Sequence, residues 1–523
     1  MRLFRTIAGV RTQLKPAWQN DQNLALVPTM GALHPGHLSL ITQAVKANDV
    51  VVVSIFVNPL QFEPGSDLDQ YPRQLEQDCQ ICEDAGVDIV FAPTVEELYP
   101  PSVEGTQTQD KLTRVIPPSE MTSQMCGETR PGHFEGVATI VTKLFNIIQP
   151  TRAYFGEKDA QQLAIIRRLV ADLNFPVEIC KGSIVRDESG LAYSSRNQYL
   201  SPAEREQAQG LYRGLQQAKQ AFETDKIRSA EQFLKSLRDH APWSPSQFDY
   251  TALVDPDTLQ PLVQVEKKAL LALAVYVGKT RLIDNIILRD RAPIIAIDGP
   301  AGAGKSTVTR RVAHELGLLY LDTGAMYRGL TWLVLNSEIA LDDEAGIAEL
   351  VSQADLQLVL SRDPEMPVQV SVNGKDVTQA IRSSLVTRNV SAISAQKAVR
   401  DKLLEQQRQW GEKGGLVAEG RDIGTHVFPN AELKIFLTAS VGERARRRQN
   451  ELLTQGQENI NFEQLQKEIQ QRDTYDSDRA IAPLRKAPDA LELVTDGLTI
   501  EEVIAAIIQL YRERFPLTPA SNL

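Results

Sequence analysis

Two short stretches carry residue types at spacings that do chemistry. "GPAGAGKS" fills residues 299–306 and follows the apolar run "IIAID". The backbone of Gly299, Pro300, Ala301, Gly302, Ala303 and Gly304 can curl around an anion, all but Pro300 offering an N–H to phosphate oxygens. The helix opened by Lys305, Ser306 and Thr307 adds its positive dipole end. In such a loop the lysine, Lys305, reaches the β- and γ-phosphates and the hydroxyl of Ser306 ligates Mg²⁺. The second stretch is "MGALHPGH", where His34 and His37 flank Pro35 and Gly36 after an apolar run. A helical zinc site wants histidines four apart with a glutamate, and Pro-Gly interrupts a helix, so that reading is poor. Two readings stay open: a turn with satisfied histidines, or imidazoles at a helix N-terminus that stabilise phosphates.

Further polar residues cluster behind other apolar runs. "SIFVNPLQF" places Asn58 and Gln61 at the C-terminal end of a strand, where open α/β sheets put ligands. "RPGHFEG" supplies Arg130 and His133, "YFGEKDAQQL" Lys158, Asp159 and Gln162, and "LAYSSRNQ" Ser194, Ser195 and Arg196. In the later half, "LDTGAMYRGL" carries Thr323, Tyr327 and Arg328, and "VAEGRDIGT" carries Arg421 and Asp422. "QRDTYDSDR" sets Arg472, Asp476 and Arg479 at i, i+4 and i+7, one face of a helix. Phosphoryl transfer needs fixed positive charge, which favours a functional reading of Arg472 and Arg479. "ERARRRQNE" adds Arg444, Arg446, Arg447 and Arg448, either a solvated helix face or a lid over a nucleotide.

Elements must position these groups. "LALVPTM", "VVVVSIFV" and "DIVFAP" are short buried-strand runs separated by helical spacing, which predicts a parallel α/β sheet. From about Ser201 the texture becomes polar and helical, then strand-like in "ALLALAVYVGKTRLIDNIIL", a smaller α+β domain. "MPVQVSVNGKDVT" reads as two strands around an Asn-Gly turn. The charged "LRDRAP" precedes a new strand-loop-helix unit, so the main boundary falls near Arg289.

The 523 residues hold several folding units, and a net charge of -11 opposes nucleic acid as a partner. Four cysteines make no disulfide framework, and Cys79 and Cys82 share a helix face without the second pair zinc requires. No signal-like or membrane-spanning apolar run is present, and reduced thiols suit a cytoplasmic location. His240, His314 and His426 read as structural or surface groups.

"GPAGAGKS", "LDTGAMYR", "AEGRDIGT", "KIFL", "RDTYDSDR" and the Asn-Gly hairpin together make residues from about 291 to 515 resemble a cytidylate kinase of the bacterial type. The resemblance implies ATP on residues 299–307, and CMP or dCMP held by Thr323, Arg328, Arg400, Arg421, Asp422, Arg472, Asp476 and Arg479. It also implies a monophosphate-binding insertion at about 325–400 and a lid at about 444–479. The HxGH pattern belongs to nucleotidylyl-transfer enzymes and class I aminoacyl-tRNA synthetases. With the four motifs downstream of it, residues 1 to about 288 resemble pantothenate synthetases, the pantoate–β-alanine ligases.

That resemblance implies a Rossmann-like core over about 1–185 and a small α+β domain over about 186–288, ahead of a P-loop kinase domain over 289–523. It implies ATP contacts from Met30, Gly31, Ala32, Leu33, His34, Pro35, Gly36 and His37, from Gly156, Glu157, Lys158 and Asp159, and from Val185, Tyr193, Ser194, Ser195 and Arg196. Gln61, Gln162, Asn58, Arg130 and His133 would hold pantoate and β-alanine. His37 would donate a proton, with His34, Lys158 and Arg196 stabilising the phosphates. Ligases of this type commonly dimerise through the large domain. Ala160 stands where the family motif often has an aromatic, which affects packing rather than charge. The alternatives are a silent first half scaffolding an active kinase, or a synthetase-like nucleic-acid partner, which the acidity opposes.

Overall fold

A computed structural model of the chain describes residues 1–62, 68, 71–99, 112–239, 241–359, 368–454, 461–478, 482–487 and 489–515. Arg479 and His240 therefore lie outside the described residues. The chain divides into two compact units, Met1–Asp290 and Arg291–Leu523.

The first unit is built on a six-stranded sheet in the order β1-β4-β3-β2-β5-β6, from Arg2–Phe4 (β1), Leu24–Thr29 (β2), Val50–Ile55 (β3), Ile89–Phe91 (β4), Arg152–Gly156 (β5) and Glu178–Gly182 (β6). Every pairing in it is parallel. The register follows from composition. Leu24 to Val27 and Val51 to Val53 are almost completely buried, because helices cover both faces and leave no side of the strand for polar residues. A second sheet follows: Phe248–Val254 (β7), Lys268–Val277 (β8) and Thr280–Arg289 (β9), antiparallel in that order. Helices Pro202–Ala208, Gly210–Glu223 and Ala230–Asp239 precede it, the first opened by a Ser201–Glu204 capping box.

The second unit has a five-stranded parallel sheet in the order β11-β15-β10-β16-β17. Its strands are Ala292–Asp298 (β10), Leu319–Asp322 (β11), Gly414–Gly420 (β15), Leu433–Thr438 (β16) and Leu491–Val494 (β17). The central strand β10 runs straight into residues 299–304 and helix Lys305–Glu315. A small antiparallel sheet joins Leu356–Val359 (β12), Gln369–Val372 (β13) and Lys375–Asp376 (β14). The turn between β13 and β14 is Asn373-Gly374, with φ of 50° and 76°. Positive φ at both positions matches the right-handed strand twist, as the dipeptide predicted. β12 completes that sheet and was not legible in the sequence.

Candidate active sites

In the first unit the cleft lies at the C-terminal ends of β2, β3 and β5. His34, His37, Gln61, Arg130, His133, Lys158, Asp159, Gln162, Ser194, Ser195 and Arg196 all line it. Residues from five separate motifs thus meet in one place.

The imidazole pair is set by helix Pro35–Ala47. His34 is its N-cap, and its Nδ1 accepts the Gly36 N–H at 3.1 Å, which leaves the proton of the neutral ring on Nε2. The two rings stack with centroids 4.0 Å apart, and Tyr193 stacks beyond at 6.4 Å. Burial and the Lys158 ammonium depress His34 to about 4. Burial, then His34 and Lys158, hold His37 well below the usual imidazole range, and its Nδ1 has no hydrogen-bond partner. Lys158 donates to the Tyr193 carbonyl at 3.2 Å, and burial lowers its pKa although Asp159 and Asp284 oppose this. The site therefore presents neutral imidazoles and a lysine, arranged to accept negative charge.

The loop before the histidines is held by Asp78, from helix Leu75–Asp84, a residue the sequence did not single out. Its carboxylate accepts the N–H of Ala32 at 3.0 Å and of Leu33 at 2.8 Å. Gly31 has φ +83°, and a Cβ there would lie 2.9 Å from Asp78, so only glycine lets this loop close.

On the opposite wall, Gln61 faces the cleft. Asn58, expected at the substrate, stands behind it. Its amide donates to Gln61 Oε1 at 2.9 Å and to the Gly136 carbonyl at 3.1 Å, and its Oδ1 accepts from Tyr99 at 2.8 Å and Leu60 at 3.3 Å. Asn58 is fully buried and its part is to orient Gln61. His133 shares this wall. Its Nδ1–H donates to the Gln61 carbonyl at 2.9 Å and its Nε2 accepts from Arg130 at 3.2 Å. Burial and Arg130 depress it to about 3. Of two adjacent glutamines, Gln162 lies at the cleft free of hydrogen bonds to described residues, whereas Gln161 ties Met121, Gln124 and Cys126 together at 2.9 Å.

In the second unit, Lys305 Nζ donates to the carbonyls of Gly299 at 2.7 Å and Pro300 at 2.8 Å, and the ammonium is buried. Burial, then repulsion from Arg421, holds it well below the usual lysine range. Gly299 has φ +152° and a Cβ there would lie 1.9 Å from the Leu437 carbonyl, so the loop packs on β16 only as glycine. Asp298 accepts the N–H groups of Ile423 and Gly424, each at 2.7 Å, and burial pushes it up to about 6. Glu419, on β15, is buried beside Ser306. Tyr320 donates to its Oε1 at 2.5 Å, while Oε2 has no partner. The sequence did not mark Glu419.

Arg421 pairs with Asp476 at 2.8 Å and donates to the Gly299 carbonyl at 3.1 Å. Arg421 and Arg328 both stand within electrostatic reach of Arg472, and neither Arg472 nor Arg328 is hydrogen-bonded to a described residue. Arg472 thus has two guanidiniums about it, and the nearby carboxylates are already committed, Asp476 to Arg421 and Asp473 to Arg444. Arg400 and Asp422 form a buried ion pair at 2.5 Å, and Thr323 donates to the Glu419 carbonyl at 2.7 Å. The arginine run of helix Val441–Thr454 divides. Arg444 is buried, paired with Asp473 at 2.6 Å and bonded to the Ala301 carbonyl at 3.0 Å. Arg447 reaches Ala303 and Thr495, whereas Arg446 is exposed and paired with Glu443 at 2.8 Å.

Paired imidazoles over a parallel α/β sheet define a nucleotidylyl-transferase-type ligase, and a phosphate loop facing an arginine cluster defines a nucleoside monophosphate kinase. The comparisons agree. The sequence model of the family Pantoate-beta-alanine ligase matches residues 2–287, and that of Cytidylate kinase matches residues 295–513. Bifunctional pantoate ligase/cytidylate kinases from Trichormus variabilis and from a Synechocystis species are each 56% identical, over 98% of this chain and 99% of theirs. One from Acaryochloris marina is 51% identical over 98% of each. The crystal structure of pantothenate synthetase from Thermus thermophilus has 46% identity and a TM-score of 0.50, covering 55% of this chain and 99% of that one. The chain belongs to the bifunctional pantoate ligase/cytidylate kinase family, and is an enzyme with a ligase unit followed by a kinase unit.

Proposed function

We propose that the first unit joins pantoate to β-alanine in two steps. The pantoate carboxylate attacks the α-phosphorus of ATP and pyrophosphate leaves, giving pantoyl adenylate. The β-alanine amine then attacks the acyl carbon and AMP leaves, giving pantothenate. The observation that carries this is the convergence of His34, His37, Lys158 and Gln61 with the loop of Ser194, Ser195 and Arg196 on one cleft.

His34 Nε2–H donates to a phosphate oxygen, since its Nδ1 is occupied by Gly36. Burial, with His34 and Lys158, keeps His37 neutral before ATP binds. A triphosphate beside it raises its pKa, so binding of ATP itself makes it the proton donor. Lys158 and Arg196 neutralise charge on the leaving pyrophosphate. Gln61 and Gln162 hold the pantoate hydroxyls and carboxylate, with Arg130, oriented by His133, attracting the β-alanine carboxylate. Met30 to Leu33, Gly156, Glu157, Asp159, Val185 and Tyr193 frame the nucleotide.

The second unit transfers the γ-phosphoryl group of ATP to a phosphate oxygen of CMP or dCMP, giving CDP or dCDP and ADP. Arg328, Arg421 and Arg472 hold the acceptor phosphate and the charge that spreads in transfer. Arg400, Asp422 and Thr323 are placed for the nucleoside. Lys305 leaves the loop carbonyls for the γ-phosphate. The hydroxyl of Ser306 and the unpartnered Oε2 of Glu419 are oxygen donors that suit Mg²⁺. Bound with ATP, Mg²⁺ supplies charge neutralisation of the phosphates. We place the chain in the cytoplasm as a homodimer through the ligase unit, without nucleic acid. Among the described residues no helix is long and apolar enough to cross a membrane.

The test is a product assay on the full chain with Mg·ATP, pantoate and β-alanine and no CMP. Equal amounts of pantothenate and AMP are expected, and His37→Ala abolishes both. If CMP still yields CDP and ADP while no pantothenate forms, the first unit is a silent partner of the kinase and the ligase reading fails.

A further inference from the structure

We infer that Asp284 and Asn285, adjacent on β9, are positioning residues for the adenylation step, setting the register of the two chain segments that frame ATP. The inference rests on the ligase reading above. Nothing in the sequence marked "LIDN" as other than strand.

β9 is an edge strand of its sheet, so one flank has no strand partner and is available to other chain segments. Asn285 holds one such segment with its side-chain amide. Nδ2 donates to the carbonyl of Glu157 at 3.0 Å and to that of Lys158 at 2.9 Å, both in the turn that presents Lys158. Asp284 holds the other segment. Its carboxylate takes a bidentate bond from Arg186, at 2.6 and 2.9 Å. Arg186 also donates to the Gly190 carbonyl at 3.1 Å, shaping the hairpin that leads to Tyr193 and Ser194. The two segments then meet through Lys158 Nζ on the Tyr193 carbonyl. A circuit results: β9 fixes the root of the Lys158 turn and the root of the Tyr193 loop, and Lys158 closes it at the phosphate-binding end.

Both side chains are buried, with 2% and 6% exposure, and every bond named is directional. A buried polar pair on an edge strand would be replaceable by apolar residues if packing alone were its purpose. Here it bonds to backbone carbonyls and to an arginine that belong to the ATP-facing segments. Moving Lys158 by about 1 Å would be enough to slow adenylation by about 10²-fold.

The test separates the two half-reactions in the full chain. Asn285→Ala should lower pantoate-dependent pyrophosphate release by about 10²-fold, mostly in kcat, with KM for β-alanine unchanged. Pantothenate formation from supplied pantoyl adenylate should stay within about 2-fold of wild type, because that step no longer needs Lys158 at the triphosphate. Asn285→Asp keeps the shape and removes both donors, and should be at least as slow. Asp284→Asn, which weakens one bond to Arg186, should lie between wild type and Asn285→Ala. The thermal midpoint of the ligase transition, assigned by its shift with ATP plus pantoate, reports that the first unit is folded. If the wild type makes no pantothenate, the ligase reading has failed. If the wild type is active and Asn285→Ala adenylates at its rate, the positioning role is wrong. The role is also wrong if both half-reactions fall equally along with the thermal midpoint.

Discussion

The two units recruit the same nucleotide with different charges. On the reading proposed above, the ligase cleft relies on imidazoles whose pKa burial has pushed down, so that they are neutral until a phosphate arrives. On the same reading the kinase site relies on guanidiniums, which are always protonated: Arg421 is paired with Asp476, whereas Arg472 beside it has no hydrogen bond to a described residue. The difference follows from the reactions. Attack on the α-phosphorus needs a proton given and released as pyrophosphate leaves, which suits a group that titrates. Transfer of the γ-phosphoryl group spreads charge without a covalent intermediate, which suits fixed charge.

The most severe break in this comparison should come from Lys305→Ala, which removes one charge from the phosphate loop. CDP formation should fall by about 10³-fold, with pantothenate formation by the same chain unchanged. A kinase that survives the loss would not depend on fixed charge there. Next is Arg472→Ala, expected to lower kcat/KM for CMP by about 10–100-fold, the value of a charged hydrogen bond. Arg472→Lys should recover only part of it, because a point charge cannot replace a planar fork.

The pH dependence sharpens the contrast at two groups, since burial disfavours a charged imidazole in one unit and a charged carboxylate in the other. His133 lies at about 3 in the folded chain, below its ordinary 6.5, so the unfolded chain binds more protons between those values. Wild-type stability is therefore lost as pH falls through that window. Asp298 lies at about 6, above its ordinary 3.8, so the folded chain holds its proton longer and stability is lost as pH rises through that range. His133→Gln should gain on wild type as pH falls from 6.5, and Asp298→Asn should gain as pH rises toward 6. Thermal midpoints read this out, with ATP plus pantoate assigning the ligase transition and CMP the kinase transition. Parallel trends would refute the assignment. The smallest effect is expected for Arg446→Ala, exposed and paired only with Glu443. It should leave both midpoint and CDP formation unchanged, whereas Arg444→Ala should impair CDP formation by releasing Asp473 and the Ala301 carbonyl.

Motifs were legible where function demands a local arrangement. The phosphate loop needs closely spaced glycines, here Gly299, Gly302 and Gly304, and His34 and His37 need only a turn and a helix start, so both could be read from the chain. Positioning residues were not legible. Asp78 reaches back 46 residues to Ala32, and Asn285 reaches 127 residues to Lys158. Each is an ordinary polar residue in a helix or strand until the fold brings its partner. Asn58 shows the converse: its place at a strand end suggested substrate, yet packing turned it to Gln61, Gly136 and Tyr99. The arginine run offered a single pattern that the fold divided into the buried Arg444 and the solvated Arg446.

The sequence alone determined the classes of chemistry, the order of the two units and the alternation of strand and helix, because these are written in residue type and short-range spacing. Tertiary structure decided which groups are charged and which face the ligand. Burial sets the imidazoles and Asp298 away from their ordinary titration, and whether an amide such as Gln161 or Gln162 is used up depends on partners that only folding brings within 3 Å.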